Sequence, residues 1–363
     1  MKKLFFFFPT CFLIGLIYFF GPLDSGFALG APTENNIYYV SSLSVSTNWT
    51  AARDVNTPCA PATALANAAA GDTVYFRGGV YGTPSSRVDY QPSNSGSAGS
   101  PITFEAYPGE TPTIIGGFSV TNKNWISFSG FNMQGSHPPP VNWVDMPDTV
   151  IDDSSININP SESWSTRQAK VNQKYATWRN WMNNFETNWD RGFSISASDN
   201  IVIVDNDIYY YAYGIYVVND SKNVTMENNG IHHCLGGILW WPANYWTNLS
   251  IENSIISDNH VYQNIYGGIE VGFGAKNVLV ENNLAEYNAI YGIGSGYNSQ
   301  NVTIRGNIAR HNGYYSETMS APGSSAFALG FGAEGLIMEN NIAADQVDPT
   351  GVDGNGIIDD TNT

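Results

Sequence analysis

An asparagine recurs at positions 206, 229, 259, 283, 307 and 341, in a phrase that reads IVIVDND from Ile201, VTMENNG from Val224, VLVENNL from Val278, VTIRGNI from Val302 and LIMENNI from Leu336. The steps between these residues are 23, 30, 24, 24 and 34, so a unit of about two dozen residues repeats, with insertions in the second and last intervals. A period of that size predicts a solenoid.

Within each unit the apolar residues alternate, as in Val224 and Met226, Val278 and Val280, or Val302 and Ile304, which is the mark of a strand with one buried face. A second short strand follows each asparagine at GIYVV (Gly214), GILWW (Gly237), GIEVG (Gly268) and GIGSG (Gly292). The connections are too short for crossover helices, so the strands must stack on their counterparts in neighbouring repeats as parallel sheets. Asparagine suits the corners because it tolerates left-handed backbone, and its amide can bond the asparagine one coil away. A companion column is expected at Asn264, Asn288 and Asn312. Both columns read as structural.

The chain begins with two lysines, runs apolar from Leu4 to Phe20 and reaches small residues at Ala28 and Gly30. That order predicts a signal peptide over residues 1–30 and an exported protein, secreted, extracellular or periplasmic. The apolar run is long enough for an uncleaved anchor, but Pro9 and the small residues favour cleavage. Cys11 leaves with the leader, so only Cys59 and Cys234 remain and no disulfide framework is expected. Loss of Lys2, Lys3 and Asp24 leaves 13 basic and 31 acidic side chains, a net charge of −18. Such a surface excludes a nucleic-acid partner and repels an acidic polymer except where cations are concentrated.

Upstream of the ladder stand IYYVSS from Ile37, ATALANAAAGDTVYFRGGVY from Ala62 and GSAGSPITFEAYPGETPTIIGG from Gly96. With the ladder, these phrases resemble the right-handed parallel β-helix proteins of the pectin-lyase-like superfamily, over most of residues 37–360. The resemblance implies an all-β right-handed parallel β-helix in residues 31–363, capped at its N-terminal end by a short helix near Ala62 to Ala70. Residues 137–190 interrupt it as an insertion between coils. The sequence stops at Thr363, shortly after GNGIIDD, which reads as the opening strand of a further repeat and predicts an uncapped end that is either truncated or covered by a partner.

Candidate chemistry gathers in three places. The insertion carries Arg167, Lys170, Lys174, Arg179 and Arg191 beside Trp164, Trp178, Trp181 and Trp189. Aromatic faces stack on sugar rings and guanidinium forks bind carboxylates, so Trp178, Arg179, Trp181 and Arg191 are candidates for holding an acidic polysaccharide. A flap packed on the coil is the alternative. A second aromatic group comprises Tyr216, Trp240 and Trp241. If Ile215, Ile238 and Ile269 point inward, Tyr216, Leu239 and Glu270 form an outer floor. Third, His233 and His311 each follow a ladder asparagine by four residues, and Arg310 stands on the adjacent column. A β-elimination needs a base and a cation that neutralises the substrate carboxylate, roles open to His233 with Glu270 or Arg310 with His311. Solvated edge residues are the competing account. Asp345, Asp348, Asp353 and Asp359 are the candidate Ca²⁺ ligands, although the loop around Gly356 matches only the middle of an EF-hand.

No nucleophile elbow, HExxH or phosphate loop is present. The resemblance therefore implies an exported carbohydrate-active protein, expected to be a monomeric polysaccharide lyase cleaving a uronate-containing polymer. Its partner is then a polysaccharide, with neither nucleic acid nor, after leader cleavage, a membrane. A glycoside hydrolase of the same fold and a non-catalytic binding or cell-surface solenoid are the alternatives.

Overall fold

A computed structural model describes residues 36–139, 161–163, 166, 189–239, 251–296, 298–313, 325–330, 332–346 and 355–360. The repeats coil into a parallel β-helix with three sheet faces. The first sheet has ten strands in strict coil order, from Ile37–Val40 through Asp199–Val204 to Ile337–Glu339. The second runs from Gly79–Tyr81 to Ile342–Ala344 and the third from Val88–Tyr90 to Asn355–Asp360, joined early by the long strand Pro112–Thr121, which pairs in both. Every strand pairing is parallel, as expected when each repeat meets only its neighbours.

Register puts like on like. Ile201 pairs with Val224, Met226 with Ile256, Ile256 with Val280 and Val280 with Ile304, all fully buried. In the first coils the core is aromatic. Phe118 stacks on Phe193 at 5.7 Å, and Phe104 on Phe128 at 5.6 Å. The only described α-helix, Pro61–Asn67, buries Thr63, Ala64 and Leu65 against the first coil, where the sequence places a cap at Ala62 to Ala70. Cys59 and Cys234 are buried and unpaired, and burial pushes the Cys59 thiol up to about 11.

The ladder asparagines stand at the corner between the first and second sheets, with Asn206, Asn229, Asn259, Asn283 and Asn307 at most 2% exposed. The Nδ2 of Asn206 donates to Oδ1 of Asn229 at 3.0 Å, and the same bond links Asn229 to Asn259, Asn259 to Asn283, Asn283 to Asn307 and Asn307 to Asn341. Each Nδ2 also reaches a backbone carbonyl one coil back, so the turn carbonyls find donors where no strand can supply them. The companion column forms likewise from Asn264 through Asn288 to Asn312; Gln346 continues it by accepting from the Asn312 amide.

The corners also explain which residues flank the ladder. Asp205, Asn228, Asp258, Asn282 and Asn340 have φ between 52 and 58°, the left-handed region that Asn and Asp tolerate best. A further left-handed column contains Tyr210, His233, Gln263, Tyr287, His311 and Asp345.

Candidate functional site

The outward face of the third sheet brings together the most perturbed carboxyl group among the described residues and a cluster of aromatic rings. The four strands from Tyr213–Val218 to Tyr291–Ser295 each carry a Gly-Ile pair whose two members both face inward. A Cβ on Gly214 would meet Ile231 at 2.5 Å, and Ile215 is wholly buried. Two consecutive inward residues bend the strand, so the residues on either side of the pair share the outer face. That is how Tyr213 and Tyr216 come to stack at 5.5 Å.

Register then lines up two outer columns. One runs Arg191, Tyr213, Gly236, Gly267, Tyr291 and Ser325. The other runs Ser194, Tyr216, Leu239, Glu270, Gly294 and Ala328. The bare middle of the first column is covered from both ends. The Tyr213 ring lies over Gly236, where a Cβ would come within 3.2 Å, and the Tyr291 ring over Gly267, where it would come within 2.3 Å. Only glycine leaves room for Tyr291 to reach back one coil.

Its hydroxyl donates to Oε2 of Glu270 at 2.9 Å. Burial pushes the Glu270 carboxyl up to about 7, and the Tyr291 hydrogen bond opposes that rise by favouring the charged form. A carboxylate poised near neutrality, held in one orientation, is fitted to take or give a proton. It is the one carboxylate among the described residues of these two columns. Two rungs away along its own column, roughly 10 Å at the strand spacing of a sheet, the Arg191 guanidinium lies 4.1 Å above the Tyr216 ring.

The predicted residues therefore divide. Glu270, Arg191 and Tyr216 share the third-sheet face. His233 and His311 occupy left-handed corners of the second sheet, a column whose other members are Tyr210, Gln263, Tyr287 and Asp345, so what the column has in common is its backbone geometry and not one side-chain chemistry. The His311 ring lies flat on Tyr287 at 5.0 Å. Arg310 donates to Glu286 at 2.7 Å, and Glu286 also accepts from His260 at 2.8 Å. His232, stacked on Tyr209 and Tyr262, lies 3.2 Å from Asp207 and places its Nδ1 2.7 Å from that of His233. The second sheet thus carries an imidazole and carboxylate strip of its own. Arg305 with Glu281 and Lys222 with Glu252 are ion pairs on the first-sheet face.

Trp178, Arg179, Trp181, Trp240 and Trp241 lie outside the described residues, as do Asp348 and Asp353, and of Asp359 only the backbone is described. Asp345 is exposed, and the described residues hold no group of three or more side chains able to bind a metal. Sequence reasoning passed over Tyr291, Gly267 and Asp190. The first two carry a legible signal, since YGI at 213 and 291 brackets GGI at 236 and 267. The ladder hides that signal, because the second strands do not keep a constant distance from it.

Residues 192–363 match a family model described as the right handed beta helix region. Among solved structures, pectate lyase Pel9A is similar at 16% identity with a TM-score of 0.52, over 86% of this chain and 64% of that one. A rhamnogalacturonan lyase is similar at 15% identity and TM-score 0.46, over 82% of this chain and 62% of that one. Jun a 1, the major allergen from cedar pollen, gives 12%, 0.49, 90% and 80%. The chain spans less than two thirds of the length of the two lyases. No curated protein matches the sequence. At these identities the likeness shows the fold.

Proposed function

From the premise that this chain has the right-handed parallel β-helix fold of the pectin-lyase-like proteins, we propose that it is an exported carbohydrate-active protein that cleaves an acidic polysaccharide by β-elimination on its third-sheet face. Glu270 carries the reading, as a carboxylate set near 7 and oriented by Tyr291. Its role is to take the proton from the carbon next to a uronate carboxylate. The electron pair left behind forms a carbon–carbon double bond, the glycosidic C–O bond on the neighbouring carbon breaks, and the departing oxygen takes a proton from water. Hydrolysis by the usual pair of carboxylates has less support, since the described outer columns offer one acid and not two. Arg191 on Tyr216 supplies the cation and ring face that a uronate-bearing chain requires.

The test is incubation of the secreted protein with pectate, alginate and chondroitin, with and without Ca²⁺, reading the ultraviolet absorbance of unsaturated products. Activity on one polymer that falls by about a hundredfold or more in Glu270→Gln, the range expected for loss of a general base, supports the reading. A folded full-length protein that forms no unsaturated product from any of them overturns it.

A further inference from the structure

Asp190 is the most heavily bonded carboxylate among the described residues. Its Oδ2 accepts from Arg87 Nη1 at 2.5 Å and from the backbone and hydroxyl of Ser136, both at 2.9 Å. Its Oδ1 accepts from the Ala212 amide at 2.9 Å and lies 3.2 Å from His137 Nε2. These donors come from an earlier turn, from the point where the chain leaves the second sheet before the insertion, and from the next coil. Alternation along an extended chain then sends the residues on either side of Asp190 the other way. Trp189 stacks on Tyr213 at 5.6 Å and remains 51% exposed, and Arg191 lies over Tyr216. The Arg191 Nε is buried with no hydrogen-bond partner among the described residues.

We propose that Trp189 and Arg191, seated on Tyr213 and Tyr216, form a separate binding subsite for one acidic sugar unit, and that Asp190 is the positioning residue that holds it. Trp189, half exposed, offers its outer ring face to the sugar and is backed by the buried Tyr213, and Arg191 offers a cation already oriented by its contact with the buried Tyr216. The subsite lies two rungs from Glu270, a distance one sugar ring does not bridge, so binding and proton transfer belong to different units of the same polymer. In a surface of net charge −18 without the leader, a fixed cation is also what lets an acidic chain approach. The inference rests on the part of the proposed function that brings an acidic polymer to the third-sheet face, and not on Glu270 being its base.

The test uses full-length Glu270→Gln protein as a turnover-silent background, with retardation in gels containing polygalacturonate, alginate or a neutral xylan. The background protein is expected to be retarded by an acidic polymer and not by xylan. Adding Trp189→Ala or Arg191→Ala weakens that retardation about tenfold, the range for losing one stacked ring or one bidentate cation. Adding Asp190→Asn weakens it comparably, and Asp190→Asn with Trp189→Ala costs no more than either alone. With Glu270 intact, the Trp189 variant raises KM far more than it lowers kcat, a split that a general loss of structure does not give. Because Trp189 is exposed, its variant decides the matter even if Asp190→Asn melts early. Unchanged retardation in the Trp189 variant, equal retardation by xylan, or no retardation by any polymer overturns the proposal. A Glu270→Gln protein that still turns over would remove the catalytic reading and leave the subsite standing.

Discussion

At the residue scale the Glu270 and Tyr291 pair makes signed predictions. Tyr291 stabilises the charged carboxylate, so Tyr291→Phe should raise the Glu270 pKa above about 7 and move the acid limb of the pH–rate profile to higher pH. A downward shift would count against the pair. The same group links stability to pH. Its folded pKa lies above the ordinary glutamate value of 4.5, so the folded state binds the extra proton between the two values. Its stabilising contribution is complete below about 4.5 and lost as pH rises through about 7. Glu270→Gln should therefore melt above the parent at pH 8 and close to it at pH 4. Asp190 behaves oppositely, because its hydrogen bonds and the Arg87 charge overcome the cost of burial and hold it at about 2. Its contribution, about 2 kcal/mol from the shift below 3.8, is present above that value and lost as pH falls through about 2. Gly267→Ala places a Cβ within 2.3 Å of the Tyr291 ring. The ring must move, and a loss of about 1 to 3 kcal/mol is expected, as for other overpacked sites.

At the scale of elements, the asparagine column and the charged column beside it separate what holds the coil from what decorates it. Asn259 accepts from Asn229, donates to Asn283 and also bonds the carbonyls of Met226 and Ser257. Asn259→Ala leaves those buried groups without partners and should cost roughly 2 to 4 kcal/mol in denaturant unfolding. Arg305→Ala removes an exposed ion pair to Glu281 and should cost under about 1 kcal/mol. Equal losses from the two would contradict this division. The corners follow the same logic, since Asp258, with φ of 56°, should accept glycine with little penalty and resist valine. Most of this architecture is legible beforehand. Asparagine spacing, strand alternation and the short corners dictate parallel stacking, because few other arrangements satisfy the turn carbonyls and bury one face of every strand. The handling of the two histidines is not legible. His233 and His311 satisfy a column count that a left-handed corner satisfies equally well, and counting cannot distinguish a corner from a groove.

At the scale of the whole molecule, each coil contacts only its neighbours, so stability is a sum of rung-to-rung terms and not a single core. Ala285 and Ala309 are fully buried within the stack, whereas Ala343, Ile342 and Ile337 on the last described rung of the first two sheets are exposed. Native-state amide exchange should therefore be fastest along Ile337–Glu339 and Ile342–Ala344 and slowest between Asn206 and Asn283. Uniform protection along the coil would mean that the repeats do not unfold in sequence order. The sequence by itself determined the period, the parallel stacking, the asparagine columns and the acidic surface, because each follows from spacing or composition counted along the chain. It also supplied Glu270, Arg191 and Tyr216 as candidates on one outer floor. Only the tertiary structure decided that Tyr291 reaches back over Gly267 to Glu270, and that Asp190 gathers Arg87, Ser136, His137 and Ala212 at one point. Those contacts join residues from different coils through side-chain reach and local bends of the strand, and these depend on distances in space that no count along the chain contains.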